Sequence, residues 1–236
     1  MYHYIYAAAV IVGVLATIAF LIMRVLRGGI AAMFIKAGAS ICFIGTAFSA
    51  FAYNGKNMEY GILVIMGLIF GLLGDVWLDM KYVYKQHNHI YTYAGIVCFI
   101  ANHVFYIPAV AFKYGEGNFE WWYAVINIIA SIIIATVTLL LEKPMGVKYG
   151  RFKKILFVYG VFLACTMFTA IFGMFYIGFS TDLLMLSIAS VLFTLSDLVL
   201  SNIYFKVGGN TKTNVVINHI LYYAAQFTFA STLLLK

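Results

Sequence analysis

The sequence predicts an all-α membrane protein: one domain over residues 1–236, folded as a polytopic bundle of eight transmembrane helices. Three observations carry that reading. The chain is 64% hydrophobic and only 10% charged, with a mean hydropathy of +0.98, whereas soluble domains run near one quarter charged. Its apolar residues gather into eight stretches near the roughly 20 residues that cross a bilayer as a helix. The loops between them are short, and no Pro- or Ser-rich linker or low-complexity run divides the chain. The length therefore leaves no room for an added soluble domain.

Taken in order, the first stretch is Tyr4–Met23. It lacks a basic leader and a small-x-small cleavage site, so it is expected to be a retained helix and not a signal peptide. The second, Ile30–Ala52, carries Lys36 a few residues in. The third, Tyr60–Leu78, holds Gly67, Gly71, Gly74 and Asp75; its small-residue face, with a GxxxG, permits close helix contact beside the aspartate. Asp79 follows at the expected membrane edge next to Lys81, as a solvated cap or interface charge. His87 and His89 precede the fourth stretch in a polar loop but have no nearby carboxylate or cysteine in sequence, so no metal is expected there. The fourth, Tyr91–Phe112, places Phe99, His103 and Tyr106 on one face by i, i+4, i+7 spacing. Trp121–Leu141 and Ile155–Phe175 are the fifth and sixth. The seventh, Thr181–Leu200, holds Asp197, and the eighth, Val215–Leu235, aligns His219, Tyr223 and Gln226 on one face. Cys42, Cys98 and Cys165 each fall within a span at no metal or redox spacing, and read as apolar packing.

The net charge of +7 raises nucleic acid as a partner, but its distribution is that of a membrane protein. Arg24, Arg27, Lys81, Lys85, Lys143, Lys148, Arg151, Lys153, Lys154, Lys206 and Lys212 fall in odd-numbered loops. The termini and even-numbered loops hold only Lys56, Lys113 and Lys236. By the positive-inside rule the odd loops are cytoplasmic and both termini lie outside the cell membrane. Glu59, Glu116, Glu120 and Asp182 fall on the outer face and agree with this.

Asp75 and Asp197 stand in similar phrases, Gly74-Asp75-Val76-Trp77-Leu78 and Ser196-Asp197-Leu198-Val199-Leu200. A carboxylate in the hydrocarbon region costs about 3 kcal/mol on insertion scales unless a partner or water-filled cavity supports it. The phrases lie four helices apart in the same orientation, as a four-plus-four parallel duplication would place them, with little further internal similarity to extend it. Asp75 follows Tyr60 by 15 residues and Asp197 follows Asp182 by 15, so each has crossed about 22 Å from the outer face. Lys36 reaches the same layer from the other side, and the three charges offset one another in part. His103 and Gln226 lie deeper. The expected site is a cytoplasm-facing pocket, charged at its mouth and polar-aromatic at its floor, a gradient suited to an amphiphile. The competing reading makes both aspartates structural, holding helices together through buried hydrogen bonds. No Gly-rich phosphate loop, GxSxG elbow or HExxH zinc motif is present.

With these residues in place the chain resembles the lysoplasmalogenase-like (YhhN-like) family of eight-span membrane proteins. The resemblance runs across most of the length through Lys36, Gly74-Asp75-x-x-Leu78 and Phe99-x-x-x-His103-x-x-Tyr106. It continues through Tyr159, Met167, Phe193-x-x-Ser196-Asp197 and Tyr222-Tyr223-x-x-Gln226. No single motif is specific; their order and spacing together are. One departure is visible, since the family's lysine is typically followed by proline and Ala37 stands here. The resemblance implies hydrolysis of the vinyl-ether bond of lysoplasmalogen to a fatty aldehyde and a glycerophospho-headgroup alcohol, with both aspartates carrying the reaction.

The residue chemistry is compatible. Vinyl-ether cleavage begins with protonation at carbon and passes through an oxocarbenium ion that water captures, the demand that glycosidases meet with two carboxyl groups. Two neighbouring buried carboxylates do not easily both ionise, so one is expected to hold a proton; the sequence leaves open which. Lys36 then holds the lipid phosphate, while His103, Tyr106, Tyr223 and Gln226 shape the pocket or place water. The expected partners are a lysophospholipid substrate and membrane lipids, with no cofactor and no nucleic acid; the sequence specifies no oligomeric state. The alternative class is a proton-coupled carrier or lipid-binding membrane protein, since intramembrane Asp, Lys and His are also parts of a proton relay.

Overall fold

The computed structural model describes residues 2–54, 57–114 and 120–235, with side chains from residue 4 onward. Lys56, Glu116 and Lys236, three of the charges used for orientation, lie outside the described residues. The chain is helical nearly throughout, as backbone in lipid must satisfy its own hydrogen bonds. The helices are α1 (Tyr2–Leu26), α2 (Gly29–Asn54), α3 (Met58–Val83), α4 (Asn88–Phe112), α5 (Trp121–Leu140), a single turn α6 (Glu142–Met145), α7 (Lys153–Tyr176), α8 (Thr181–Phe205) and α9 (Lys212–Ser231). Short 3₁₀ turns cover Lys85–His87, Gly150–Phe152 and Thr232–Leu234. Among the described residues no β-strand forms.

Seven of these helices are long and apolar enough to cross a membrane. The eighth expected span does fold as a helix, α9, but Asn214, Asn218, His219 and Gln226 make it too polar to join them. Asn218 and Gln226 are buried, so that polarity points into protein. Helix ends run past the predicted spans because polar residues such as Asp79 and Lys81 continue the last turns of α3. Gly28 and Gly29, at φ +64° and +69°, take the left-handed conformation that turns α1 into α2. Ser180 accepts a hydrogen bond from the Leu183 amide at 3.1 Å and caps α8.

Two compact units divide the chain, one of residues up to Phe105 together with those from Gln226 on, the other Tyr106–Ala225. In the first, α3 and α4 meet on glycine. A Cβ on Gly74 would stand 2.7 Å from the Phe99 ring, and one on Gly95 would stand 2.4 Å from Leu78; only glycine permits that approach. Asn102 Nδ2 donates to the Gly67 carbonyl at 2.6 Å across the same contact. At the far end Tyr6 donates to Ser231 at 2.9 Å, Tyr60 meets Thr232 at 2.6 Å, and Asn54 donates to the carbonyls of Leu234 and Leu235. Phe227 fills the notch left by Gly13 and packs edge-on against Phe43.

The second unit is joined by buried amides and hydroxyls. Asn127 donates to the Thr169 hydroxyl, and Ser131 donates to the Asn127 carbonyl at 2.7 Å. Tyr114 donates to the Thr169 carbonyl and lies against Gly173. Asn218 Nδ2 donates to the Ser196 carbonyl at 2.8 Å, tying α9 to α8. The loop between α5 and α7 is pinned as well: Lys148 N donates to the Phe205 carbonyl at 2.7 Å, and Glu142 accepts from Lys153 Nζ at 2.8 Å and from the Tyr149 amide at 2.9 Å. Those two donors hold the Glu142 carboxyl below the usual carboxylate range. Lys113 and Asp182 form an ion pair with both side chains mostly covered.

Candidate functional site

The first unit encloses a charged cluster built from three helices. Asp75 projects from α3 one turn before Asp79, so both carboxylates share a face. From α2, Lys36 Nζ stands 3.0 Å from Asp75 Oδ1 and 3.4 Å from Asp79 Oδ1. Ser40, one turn on from Lys36, donates to Asp75 Oδ2 at 2.7 Å. Arg24, in the last turn of α1, pairs with Asp79 Oδ2. Lys36, Asp75 and Asp79 are no more than 4% exposed. The two cations and two anions sum to zero, which makes such a cluster tolerable in an apolar interior. The Gly74–Phe99 contact lies next to it and fixes the backbone from which Asp75 projects.

Two expectations fail here. Asp79 is not a solvated edge charge but is buried and doubly paired, because α3 runs on to Val83 and keeps it on the helix. Arg24 is not a loop charge but a partner inside the cluster, its side chain 10% exposed. The sequence marks Arg24 only as an orientation charge and does not mark Ser40. Ser40 had a usable signal, since it sits one turn from Lys36 on the same face.

The second unit holds Asp197 on α8, half-buried, where it accepts a hydrogen bond from the Tyr159 hydroxyl of α7. Among the described residues no lysine, arginine or histidine forms an ion pair with it. The neighbouring Ser196 is held by Asn218 through both its carbonyl and its hydroxyl. His219, the next residue on α9, directs Nδ1 to the Val215 carbonyl at 2.7 Å.

Of the other predicted pocket residues, His103 and Gln226 are buried in the first unit, while Tyr106 and Tyr223 are buried in the second. Tyr222 meets Phe193 edge-on at 5.5 Å and Tyr223 at 5.3 Å. Asp75 and Lys36 are therefore in direct contact, whereas Asp197 belongs to the other unit with its own partner. Among the described residues no group of three His, Cys, Asp or Glu side chains is placed to hold a metal.

A feature unmarked in the sequence lies in the second unit. A cavity of about 140 Å³ opens among Tyr114, Tyr123, Asn127, Cys165, Thr169 and Tyr176. Tyr123 and Tyr176 stack at 3.8 Å along its wall. Thr169 lies ten residues beyond Tyr159 on α7, so the cavity stands about 15 Å further along that helix than the Asp197 partner.

Comparison with known proteins identifies the chain. Residues 31–233 match the YhhN family, and the protein belongs to this family of lysoplasmalogenase-like membrane proteins. No curated protein and no solved structure matches it.

Proposed function

We propose that this YhhN-family chain is an intramembrane hydrolase that cleaves the vinyl-ether bond of a lysoplasmalogen. Asp75 and Asp197 supply the carboxyl chemistry. The observation that carries the reading is the presence of both in apolar helices, each with polar partners: Lys36, shared with Asp79, and Ser40 for Asp75, and Tyr159 for Asp197. Intramembrane carboxylates carry a standing cost and mark functional sites, and membership of a lysoplasmalogenase-like family supports the reading. One carboxylic acid adds its proton to the vinyl carbon distal to oxygen, leaving an oxocarbenium ion. The other, as carboxylate, stabilises that cation and takes a proton from the attacking water. The hemiacetal then collapses to fatty aldehyde and glycerophospho-headgroup alcohol, so one water is consumed per bond cleaved. His103, Tyr106, Tyr223 and Gln226 shape the binding pocket.

The loop charges support a cell-membrane orientation with odd-numbered loops cytoplasmic and both termini outside. Purified protein in detergent, given lysoplasmalogen, should release aldehyde. Proton-dependent flux in vesicles without aldehyde release would favour the carrier reading instead.

A further inference from the structure

Comparison of partner positions exposes a repeat that the two aspartate phrases alone do not reveal. Five residues of α2 recur in α7 at a single interval: Phe34, Cys42, Thr46, Ala47 and Tyr53 reappear 123 residues on as Phe157, Cys165, Thr169, Ala170 and Tyr176. Residues of α3 recur in α8 122 on, Leu73, Asp75, Leu78 and Tyr82 becoming Leu195, Asp197, Leu200 and Tyr204. Residues of α4 recur in α9 116 on, Asn102, His103, Tyr106 and Ala109 becoming Asn218, His219, Tyr222 and Ala225. Two kinds of contact recur with the letters. Thr46 donates to the Cys42 carbonyl at 2.9 Å, and Thr169 donates to the Cys165 carbonyl at 2.6 Å. Asn102 donates to the Gly67 carbonyl of α3 and Asn218 to the Ser196 carbonyl of α8, so the matched asparagines each bridge to the preceding long helix, at carbonyls two turns apart on the α3-to-α8 interval. The two unit boundaries fall inside the matched helices, at Phe105/Tyr106 in α4 and at Ala225/Gln226 in α9, about one turn apart on their interval.

On the α2-to-α7 interval, the residue matching Lys36 is Tyr159. Both are the α2- or α7-borne partner of the aspartate in their own unit. We infer that the chain carries two copies of one four-helix unit, and that the exchange of Lys36 for Tyr159 makes Asp75 a fixed anion and Asp197 a proton-holding carboxyl. An ammonium at 3.0 Å keeps Asp75 charged. A phenol hydrogen-bonds a carboxyl but brings no charge, and ionising a carboxyl in an apolar span without a counter-charge is costly. The groups around Asp197 do not change this. From α7 it meets Tyr159, from α9 Asn218 is engaged with Ser196, and the His219 Nδ1 is engaged with Val215. Tyr159 is then a positioning residue. On the hydrolase reading, on which this assignment of roles alone depends, Asp197 is the acid that protonates the vinyl carbon and Asp75 is the carboxylate.

Infrared spectra of the full-length protein in detergent at neutral pH test the inference without any turnover. The unmodified protein should show a carboxylic-acid C=O band that Asp197→Asn abolishes and Asp75→Asn leaves in place. Tyr159→Lys should remove the same band, and Lys36→Tyr should add a second one. A missing band, a band lost in Asp75→Asn, or a band surviving Tyr159→Lys overturns the inference. If the Lys and Tyr exchanges do not fold, the near-isosteric Asn pair still decides it. Because no substrate is used, absence of lysoplasmalogen hydrolysis would defeat the proposed function and leave this result standing.

Discussion

Asp75 and Asp197 occupy the same place in a repeated phrase, yet their surroundings differ. Asp75 sits in a buried cluster with Lys36, Ser40, Asp79 and Arg24, drawn from three helices and summing to zero charge. Asp197 is half-buried and takes one hydrogen bond from a phenol. The contrast teaches that the cost of an intramembrane carboxylate is met in two ways. One is a counter-charge, which fixes the ion and locks helices together. The other is the proton itself, which leaves the group available for chemistry. A hydrolase that needs one acid and one carboxylate has use for both.

The largest test of that contrast is Lys36→Met, which takes the ammonium from two buried carboxylates. Breaking a buried pair by removing one partner costs about 3–5 kcal/mol, so thermal unfolding in detergent should show a large drop. Tyr159→Phe, which removes only a neutral hydrogen bond, should cost about 1 kcal/mol. Equal losses in the two variants would erase the distinction. Next in size is Gly74→Ala. The added methyl meets the Phe99 ring, and overpacking of this kind costs about 1–3 kcal/mol; a melting temperature unchanged from the parent would mean that Asp75's backbone is not pinned there. The smallest effect is expected outside the spans, at Glu142. Its carboxyl is held low by Lys153 and the Tyr149 amide, so its contribution is present at neutral pH and fades as pH falls through that lowered value. Glu142→Gln should flatten the acid side of the melting profile slightly and leave the neutral side nearly unchanged.

Much of this was legible in the sequence. Apolar stretches of span length located the helices, and the cost of burying charge singled out Lys36, Asp75 and Asp197. Arg24 and Asp79 lie outside the apolar runs yet inside the core, because distance along the chain from an apolar run is no measure of distance from the core. Both sit in last turns that remain helical and point inward, and only the fold shows that α1, α2 and α3 bring them together. The polar α9 was read as an ordinary span because sequence alone does not say which of its faces is buried. In the sequence the repeat shows only in the two aspartate phrases, because its other matching residues are spread at helical spacing among interchangeable apolar ones. Aligning the helices pair by pair, each on its own interval, makes the copies visible.

The most direct test of the central claim sets Asp75→Asn beside Asp197→Asn, with aldehyde release and thermal unfolding measured on the same preparations. Asparagine keeps size and hydrogen bonding while removing the carboxyl. Both variants should lose turnover by about 10² to 10⁴, the range of general acid–base catalysis. Only Asp75→Asn, which leaves Lys36 and Arg24 sharing the Asp79 carboxylate and unbalances the cluster, should also unfold at a clearly lower temperature. Near-normal aldehyde release from either variant, or an equal fall in stability for both, would contradict it.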